Sequence, residues 1–141
     1  MGLLHLKHID KAIEDRKRVF RKYNVMLSEV SGIEIFASVL EEESGDTKNN
    51  YAYLPILIQD EYPLSRDELY EKLAAQGIHA RKYFYPITAD QACFKNRYKK
   101  ILLPVARMMA KKILVLPIYD GMEEKFIDSI VKLVRNESLK F

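Results

Sequence analysis

The sequence is organised around a ten-residue segment, Gly77-Ile78-His79-Ala80-Arg81-Lys82-Tyr83-Phe84-Tyr85-Pro86. Its composition predicts a strand that starts after a helix-ending glycine and is closed by proline. Successive side chains of a strand point to opposite faces. One face would carry His79, Arg81, Tyr83 and Tyr85, and the other Ile78, Ala80, Lys82 and Phe84. The first face suits the wall of a pocket for a polyhydroxylated or phosphorylated ligand; the alternative is an edge strand with a solvated polar face.

A long helix is predicted at the start of the chain, from about Leu3 to Val30. Apolar residues recur there every seven positions, at Leu6, Ile13, Phe20 and Leu27. Gly32, in the pair Ser31-Gly32, would end this helix at the C′ position. Strands are predicted at residues 33–40 and 51–58, separated by a polar loop. Pro55 indicates that the second strand is irregular or lies at a sheet edge.

The second half of the chain begins with a capping box, Ser65-Arg66-Asp67-Glu68, which predicts a helix to about Gln76. Pro104–Lys112 is predicted to be a helix entered by proline, and residues 113–118 a short buried strand. A second capping box, Asp120-Gly121-Met122-Glu123, predicts the start of the last helix. The fold class is therefore α+β, with a small, mainly antiparallel sheet covered by helices. We divide the chain into a long helix of the interdomain type, 1–31, and an α+β domain, 32–141.

Length and composition exclude several classes of protein. The 141 residues suit one domain, 48% are hydrophobic, and no apolar run reaches the roughly 20 residues that span a bilayer. We also expect no signal peptide. The single cysteine, Cys93, excludes an internal disulfide and favours the cytoplasm. The net charge of +3 is mild, and the basic residues of the first helix alternate with acids. A solvated helix face is therefore expected, and neither nucleic acid nor a membrane is an expected partner.

No complete catalytic set is present in the sequence. The five glycines do not cluster into a phosphate-binding loop. Cys93 has no histidine beside it, so an inert thiol is expected. The pair His5 and His8 lacks further ligands, and we predict no metal site. Tyrosine is the exception, with nine residues and no tryptophan. Four of them, Tyr51, Tyr53, Tyr83 and Tyr85, fall in predicted strands, which indicates either a pocket or ordinary β-propensity.

Five segments in order resemble the C-terminal small domain of the DegT/DnrJ/EryC1/StrS family. They are Leu6-x-x-Ile9-Asp10-x-x-Ile13-x-x-Arg16, Asn50-Tyr51-Ala52-Tyr53-Leu54-Pro55-Ile56, Arg66–Leu73 with Gly77-Ile78, Arg81-Lys82-Tyr83-Phe84-Tyr85-Pro86-Ile87, and Ala106–Lys112 with Val115-Leu116-Pro117-Ile118-Tyr119. Each segment alone is weakly specific, whereas five at natural spacing are strong. The family consists of sugar aminotransferases that depend on pyridoxal phosphate (PLP) and have the aspartate-aminotransferase fold, fold type I.

The resemblance implies a reaction and a set of site residues. Glutamate would supply an amino group to a nucleotide-linked keto-deoxysugar, in cell-surface polysaccharide or amino-sugar biosynthesis. In the family, the Schiff-base lysine and the residues that hold PLP lie in a large domain that this sequence does not match. We therefore expect the chain alone to be inactive, with no PLP bound and no catalytic residue. Arg81, Tyr83 and Tyr85 would line the sugar-nucleotide side of the pocket, with Arg81 on the diphosphate or on the donor's carboxylate.

The alternative is a non-enzymatic interaction module. The stripe Leu6, Ile13, Phe20 and Leu27 would pack on the large domain in the intact family. Without that domain the stripe would be exposed, and exposed apolar patches drive association. The sequence thus also predicts a homo-oligomer formed through the long helix.

Overall fold

The computed structural model describes residues 2, 6–36, 48–94, 97 and 101–138. These residues form four helices and three strands, in the chain order α1 Ile9–Leu27, β1 Ile33–Ile35, β2 Leu54–Ile58, α2 Arg66–Ala75, α3 Pro104–Lys112, β3 Ile113–Leu116 and α4 Glu124–Ser138. One turn of 3₁₀ helix spans Thr88–Asp90. The predicted strand residues 37–40, most of the polar loop after them and His5 lie outside the described residues. Within the described part, no helix is long and apolar enough to cross a membrane.

The three strands form an antiparallel sheet in the order β1-β2-β3, which confirms the predicted α+β class. Ile33 pairs with Ile58 and Ile35 with Ile56, while Leu54 pairs with Leu116. Of the two alternatives predicted from Pro55, the edge strand was wrong, because β2 is the central strand. Pro55 pairs only with β3, since the pairing of β1 ends one residue earlier, at Ile56. The missing proline N–H therefore leaves no gap in the described ladder.

The main core lies between one face of the sheet and the helices α1, α2 and α4. Its side chains are almost fully buried and include Phe20, Tyr23, Leu27, Leu54, Ile56, Leu69, Leu73, Leu114, Leu116, Ile127 and Ile130. On β2 and β3 these are alternate residues, as expected for one face of a sheet. Leu57 and Val115 on the other face are also buried, and α3 contacts β2. Both faces of the sheet are thus covered.

Helix α1 is shorter and more buried than its heptad pattern predicts. It ends at Leu27, where the backbone N–H of Ser28 still donates to the carbonyl of Asn24. Phe20 and Leu27 are fully buried against this chain's own core, whereas Leu6 is 65% exposed. The predicted exposure of the whole stripe was therefore wrong, because α4 and the sheet cover its second half. Gly32 lies beyond the helix end and does not act as its C′ residue.

The predicted capping box and the predicted glycine ending are both present in α2. The Ser65 side chain accepts from the backbone N–H of Glu68, and the Glu68 carboxylate accepts from the backbone N–H of Ser65 at 2.8 Å. At the other end, Gly77 has a φ of +72°. Its N–H donates to the Ala74 carbonyl, and the N–H of Ile78 donates to the Leu73 carbonyl. This Schellman ending delivers a buried Ile78 to the core and starts the following segment.

The second predicted capping box does not start α4. A helix capped by Asp120 would need Gly121 in its first turn, but Gly121 has a φ of +70°. The first helical hydrogen bonds run instead to the Glu123 carbonyl, from the N–H groups of Phe126 and Ile127. The helix begins at Glu124 because Met122 is drawn into the core, where it is 1% exposed. Burial of that side chain overrides the capping pattern.

Candidate functional site

The segment after Gly77 was predicted to be a strand, and this is correct only at its beginning. Arg81 makes a two-way backbone pair with Val115, at 2.9 Å and 2.8 Å. No second pair forms on either side of it among the described residues. Before Arg81, the next pair would join His79 to Pro117, which follows β3 and has no N–H to donate. After Arg81, the next pair would join Tyr83 to Ile113, but the Ile113 carbonyl accepts from the Arg66 side chain instead.

The side chains alternate as expected up to Arg81 and then depart from the predicted pattern. Ile78 and Ala80 are buried, and His79 and Arg81 are exposed. Beyond Lys82 the chain turns, with the Tyr85 N–H donating to the Lys82 carbonyl at 3.2 Å. Phe84 is therefore 78% exposed, although the alternation places it on the inner face. We call Arg81–Pro86 the rim segment.

Two of the three predicted site residues meet in one cluster. The Arg81 guanidinium donates through Nη1 to the Tyr83 hydroxyl at 2.8 Å. That hydrogen bond raises the pKa of Arg81 above its ordinary value, so the group stays a cation. The Tyr83 ring packs edge-on against Tyr53, with the ring centroids 5.4 Å apart and the planes at 73°. The cluster thus presents one fixed positive charge beside a pair of phenols.

A cavity of about 280 Å³ opens beside this cluster. Its wall is formed by Ala52, Tyr53, His79, Arg81 and the residues Val115 to Tyr119 that end and follow β3. The wall contains no carboxylate, so an anion meets no opposing negative charge there. The combination of guanidinium, imidazole and phenols can bind phosphate or carboxylate oxygens and hydrogen-bond sugar hydroxyls.

Tyr85, the third predicted residue, lies apart from this cavity. Its ring covers the Arg66 guanidinium, whose carbon atom is 5.0 Å from the ring centroid. The single strand face predicted for Arg81, Tyr83 and Tyr85 is therefore wrong, because the chain turns between Lys82 and Tyr85. The role of Tyr85 at the ligand stays a prediction.

Sequence reasoning did not find every residue of the site. Tyr53 was one of the four tyrosines in the predicted strands, and it contacts Tyr83, another of the four. Tyr119 and the chain from Pro117 onward carried no signal for a cavity. Arg66, which lies outside the cavity under Tyr85, gave no signal of burial inside its capping box, although it is 3% exposed. No spacing rule distinguishes a buried arginine from a solvated one in a first helical turn.

A larger cavity, about 660 Å³, lies elsewhere, between the end of α2 and the outer side of α4. Its floor is apolar, with Ile78, Phe126 and Leu133, and its rim mixes charges of both signs. It contains neither a guanidinium nor a phenol. Chemistry therefore favours the smaller cavity beside Arg81 as the candidate site.

The family model for the DegT/DnrJ/EryC1/StrS aminotransferase family matches residues 1–135. The chain belongs to this family. A dTDP-4-amino-4,6-dideoxy-D-glucose transaminase from Escherichia coli is 38% identical over 135 residues, which are 94% of this chain and 35% of that protein. A GDP-perosamine synthase from Vibrio cholerae is 23% identical over 136 residues, 96% of this chain and 35% of its own length.

Solved structures of sugar aminotransferases share the fold of this DegT/DnrJ/EryC1/StrS chain. DesI, solved in the presence of its TDP-sugar product, superposes with a TM-score of 0.85 at 23% identity. That superposition covers 99% of this chain and 34% of DesI. The chain thus spans about a third of the length of the aminotransferases that it matches.

Proposed function

We propose that this chain supplies the nucleotide-sugar rim of an aminotransferase that moves an amino group between glutamate and a nucleotide-linked keto-deoxysugar. Membership of the aminotransferase family gives the class of reaction. The observation that carries the assignment of the rim is the Arg81 guanidinium, held by Tyr83 at the open cavity. We place the enzyme in the cytoplasm and in amino-sugar or cell-surface polysaccharide biosynthesis.

The chemistry of the cavity suits one part of such a substrate. A guanidinium binds diphosphate oxygens through parallel, charge-assisted hydrogen bonds. Phenols accept and donate hydrogen bonds to hydroxyl groups, and their rings pack on apolar sugar faces. Pockets for whole drug-sized ligands measure about 300–1,000 Å³, whereas this cavity measures about 280 Å³. It therefore has room for the sugar or the diphosphate, and the rest of the nucleotide sugar would lie outside it.

The substrate class that we propose is a dTDP-linked 4-keto-6-deoxyhexose. The support is the E. coli relative, whose name specifies dTDP and an amino group at position 4 of the sugar. The Vibrio cholerae relative is named for a GDP sugar and is only 23% identical. We therefore favour dTDP over GDP as the nucleotide.

PLP is the cofactor that we propose for the intact enzyme, but the candidate site described here does not fit it. PLP needs a lysine amine for its aldehyde and commonly an acid against its pyridine nitrogen. The wall of the Arg81 cavity has neither a lysine nor a carboxylate. Elsewhere in the described chain, Lys22, Lys72, Lys82, Lys112 and Lys125 are each engaged by a carboxylate. We propose that PLP is held by parts of the enzyme outside this third, and we expect the chain alone to be inactive.

The proposal is tested by a fusion in which this chain replaces the matching third of the E. coli relative. The fusion is expected to bind PLP and to use dTDP-4-amino-4,6-dideoxy-D-glucose. Arg81→Ala should then raise KM for the nucleotide sugar by about 10–100-fold, because a charge-assisted contact with phosphate is lost. Arg21→Ala, which removes an exposed arginine of α1, is the matched control and should leave KM unchanged.

Three results would contradict part of the proposal. A folded, PLP-loaded fusion that ignores the dTDP sugar contradicts the substrate class. An unchanged KM in Arg81→Ala contradicts the assignment of the rim. A rise in KM for glutamate alone would place Arg81 on the donor's carboxylate.

Self-association through α1 and the residues just before it is a second candidate function, favoured by apolar residues that the core does not cover. Leu6 is 65% exposed and Val25 is 70% exposed. We propose that these residues contribute to a homo-oligomer. Sedimentation should show a dimer or a larger species at high concentration, and Val25→Glu should weaken it by placing a charge in the contact. A clean monomer at high concentration would exclude this function.

A further inference from the structure

The rim segment has little backbone structure to hold it in place. Its described backbone bonds are the pair between Arg81 and Val115 and the turn bond from the Tyr85 N–H to the Lys82 carbonyl. A segment with so few ladder bonds opens easily unless its side chains are fixed. Arg81 lines the cavity, and its guanidinium is bound to the Tyr83 hydroxyl. The residues that fix the segment must therefore contact it from behind.

The first such contact comes from Asp67, in the first turn of α2. Its Oδ1 atom accepts from Lys82 Nζ at 2.6 Å and from Arg66 Nε at 2.8 Å. The hydrogen bond from Lys82 is the main reason that the pKa of Asp67 lies below its ordinary value. Lys82 also lies 4.2 Å from the centroid of the Tyr70 ring. One carboxylate thus ties the rim segment to α2.

The second contact comes from Arg66, which packs under Tyr85. Its side chain is almost fully buried, and the Tyr85 ring lies over the guanidinium at 5.0 Å. A desolvated guanidinium against an aromatic face is a favourable cation–π arrangement. Arg66 therefore holds the far end of the rim segment, while Asp67 holds its middle.

Arg66 is itself fixed at the junction between α3 and β3. Its Nη1 atom donates to the carbonyls of Ala110 at 3.0 Å and Ile113 at 3.3 Å. Ala110 lies in the last turn of α3, where helical carbonyls lack partners and attract cations. A guanidinium can serve two carbonyls, a carboxylate and a ring at once, whereas a lysine offers one point of charge. The geometry thus requires arginine at this position.

We propose that Arg66 and Asp67 are positioning residues that hold the rim segment from behind and so present Arg81, with its Tyr83 partner, to the substrate. We call this pair the α2 clamp. Neither residue lines the cavity beside Arg81. The proposal rests on the proposed function only for the identity of the substrate. The holding role is a property of this chain and can be measured without any ligand.

The test is amide hydrogen exchange on the full chain, read by NMR. Arg66→Lys and Asp67→Asn should each speed exchange of the Tyr85 amide by about tenfold, the factor expected when about one net hydrogen-bond equivalent is lost. Amides of α1 and β2 should keep their exchange rates. The matched control is Arg135→Lys, because Arg135 also donates to a backbone carbonyl, that of Met26 at 2.9 Å, and to a carboxylate, that of Glu29.

The pattern of exchange decides the proposal. Faster exchange confined to the rim segment supports it. An unchanged exchange rate at the Tyr85 amide overturns the proposal. Equal acceleration of exchange throughout the chain also overturns it, because that result would mean only a general loss of stability. Asp67→Asn keeps the proposal testable if Arg66→Lys fails to fold, since the Asp67 side chain is 62% exposed.

The same substitutions in the fusion separate this proposal from the proposed function. With the rim loosened, KM for the dTDP sugar should rise about two- to tenfold while kcat is kept, since fewer molecules are in the binding-competent state. A loosened rim with unchanged KM would support the clamp and contradict the placement of the nucleotide sugar. A rise in KM with no change in exchange would overturn the clamp.

Discussion

Gly32→Ala is expected to lower the free energy of unfolding by about 3–5 kcal/mol, from backbone strain and overpacking together. Gly32 has a φ of +76°, which L side chains rarely adopt. A Cβ atom there would lie 2.3 Å from the backbone nitrogen of Tyr62 and 2.7 Å from its Cα atom. The Gln59 N–H donates to the Gly32 carbonyl at 2.8 Å, so the two segments cannot separate without losing that bond.

Gly77→Ala is the matched control for this prediction. Gly77 has a similar φ of +72°, but an added Cβ would meet nothing within 4 Å. Gly77→Ala should therefore lower the free energy of unfolding only by the cost of the left-handed backbone conformation, about 1–2 kcal/mol. Urea unfolding of the two variants gives the difference directly. Equal losses would show that the close approach of Tyr62 to Gly32 does not contribute to stability.

Phe20→Ala is expected to lower the free energy of unfolding by about 3–5 kcal/mol, the usual loss for a fully buried phenylalanine. Phe20 is fully buried on α1 and packs against Tyr51, with the ring centroids 5.5 Å apart. It thereby joins α1 to the chain that enters the central strand. The cavity left by alanine would be bordered by Tyr51 and by the α4 side of the core. We expect α1 and the sheet to unfold in one transition.

Phe20→Leu keeps most of the volume and should cost less than about 1.5 kcal/mol. Unfolding followed by both far-UV circular dichroism and tyrosine fluorescence reports on the helices and the core. Coincident curves are expected in each variant. Separate transitions, or a loss below about 1 kcal/mol in Phe20→Ala, would mean that α1 unfolds as a unit apart from residues 32–141.

Features that depend on a few neighbouring residues were predictable. The Ser65–Glu68 capping box and the glycine at 77 place α2 within one residue at each end. Pro104 begins α3 as expected for proline in a first turn. Each of these signals is satisfied by backbone atoms within five residues of it. Distant parts of the chain therefore have little influence on them.

Features that depend on a distant partner were predicted incompletely. Asp120 and Glu123 have capping-box spacing, yet burial of Met122 moves the start of α4 to Glu124. Pro55 is tolerated in the central strand because β1 stops pairing one residue before it would need the missing N–H. In both cases the competing interaction is made with another element. Its strength does not follow from local spacing.

The candidate site shows the same division. Residue types and their order were enough to assign the α+β class and the family resemblance, and they placed Arg81 and Tyr83 on one face of a predicted strand. The hydrogen bond between these two side chains is seen only in the structure. The turn after Lys82 was decided only by the tertiary structure. Pro117 and the engaged carbonyl of Ile113 end the backbone pairing with β3, and Asp67 and Arg66 then draw Lys82 and Tyr85 toward α2. Such long-range contacts exist only once the sheet and helices have packed, so the alternation of the segment could not reveal them.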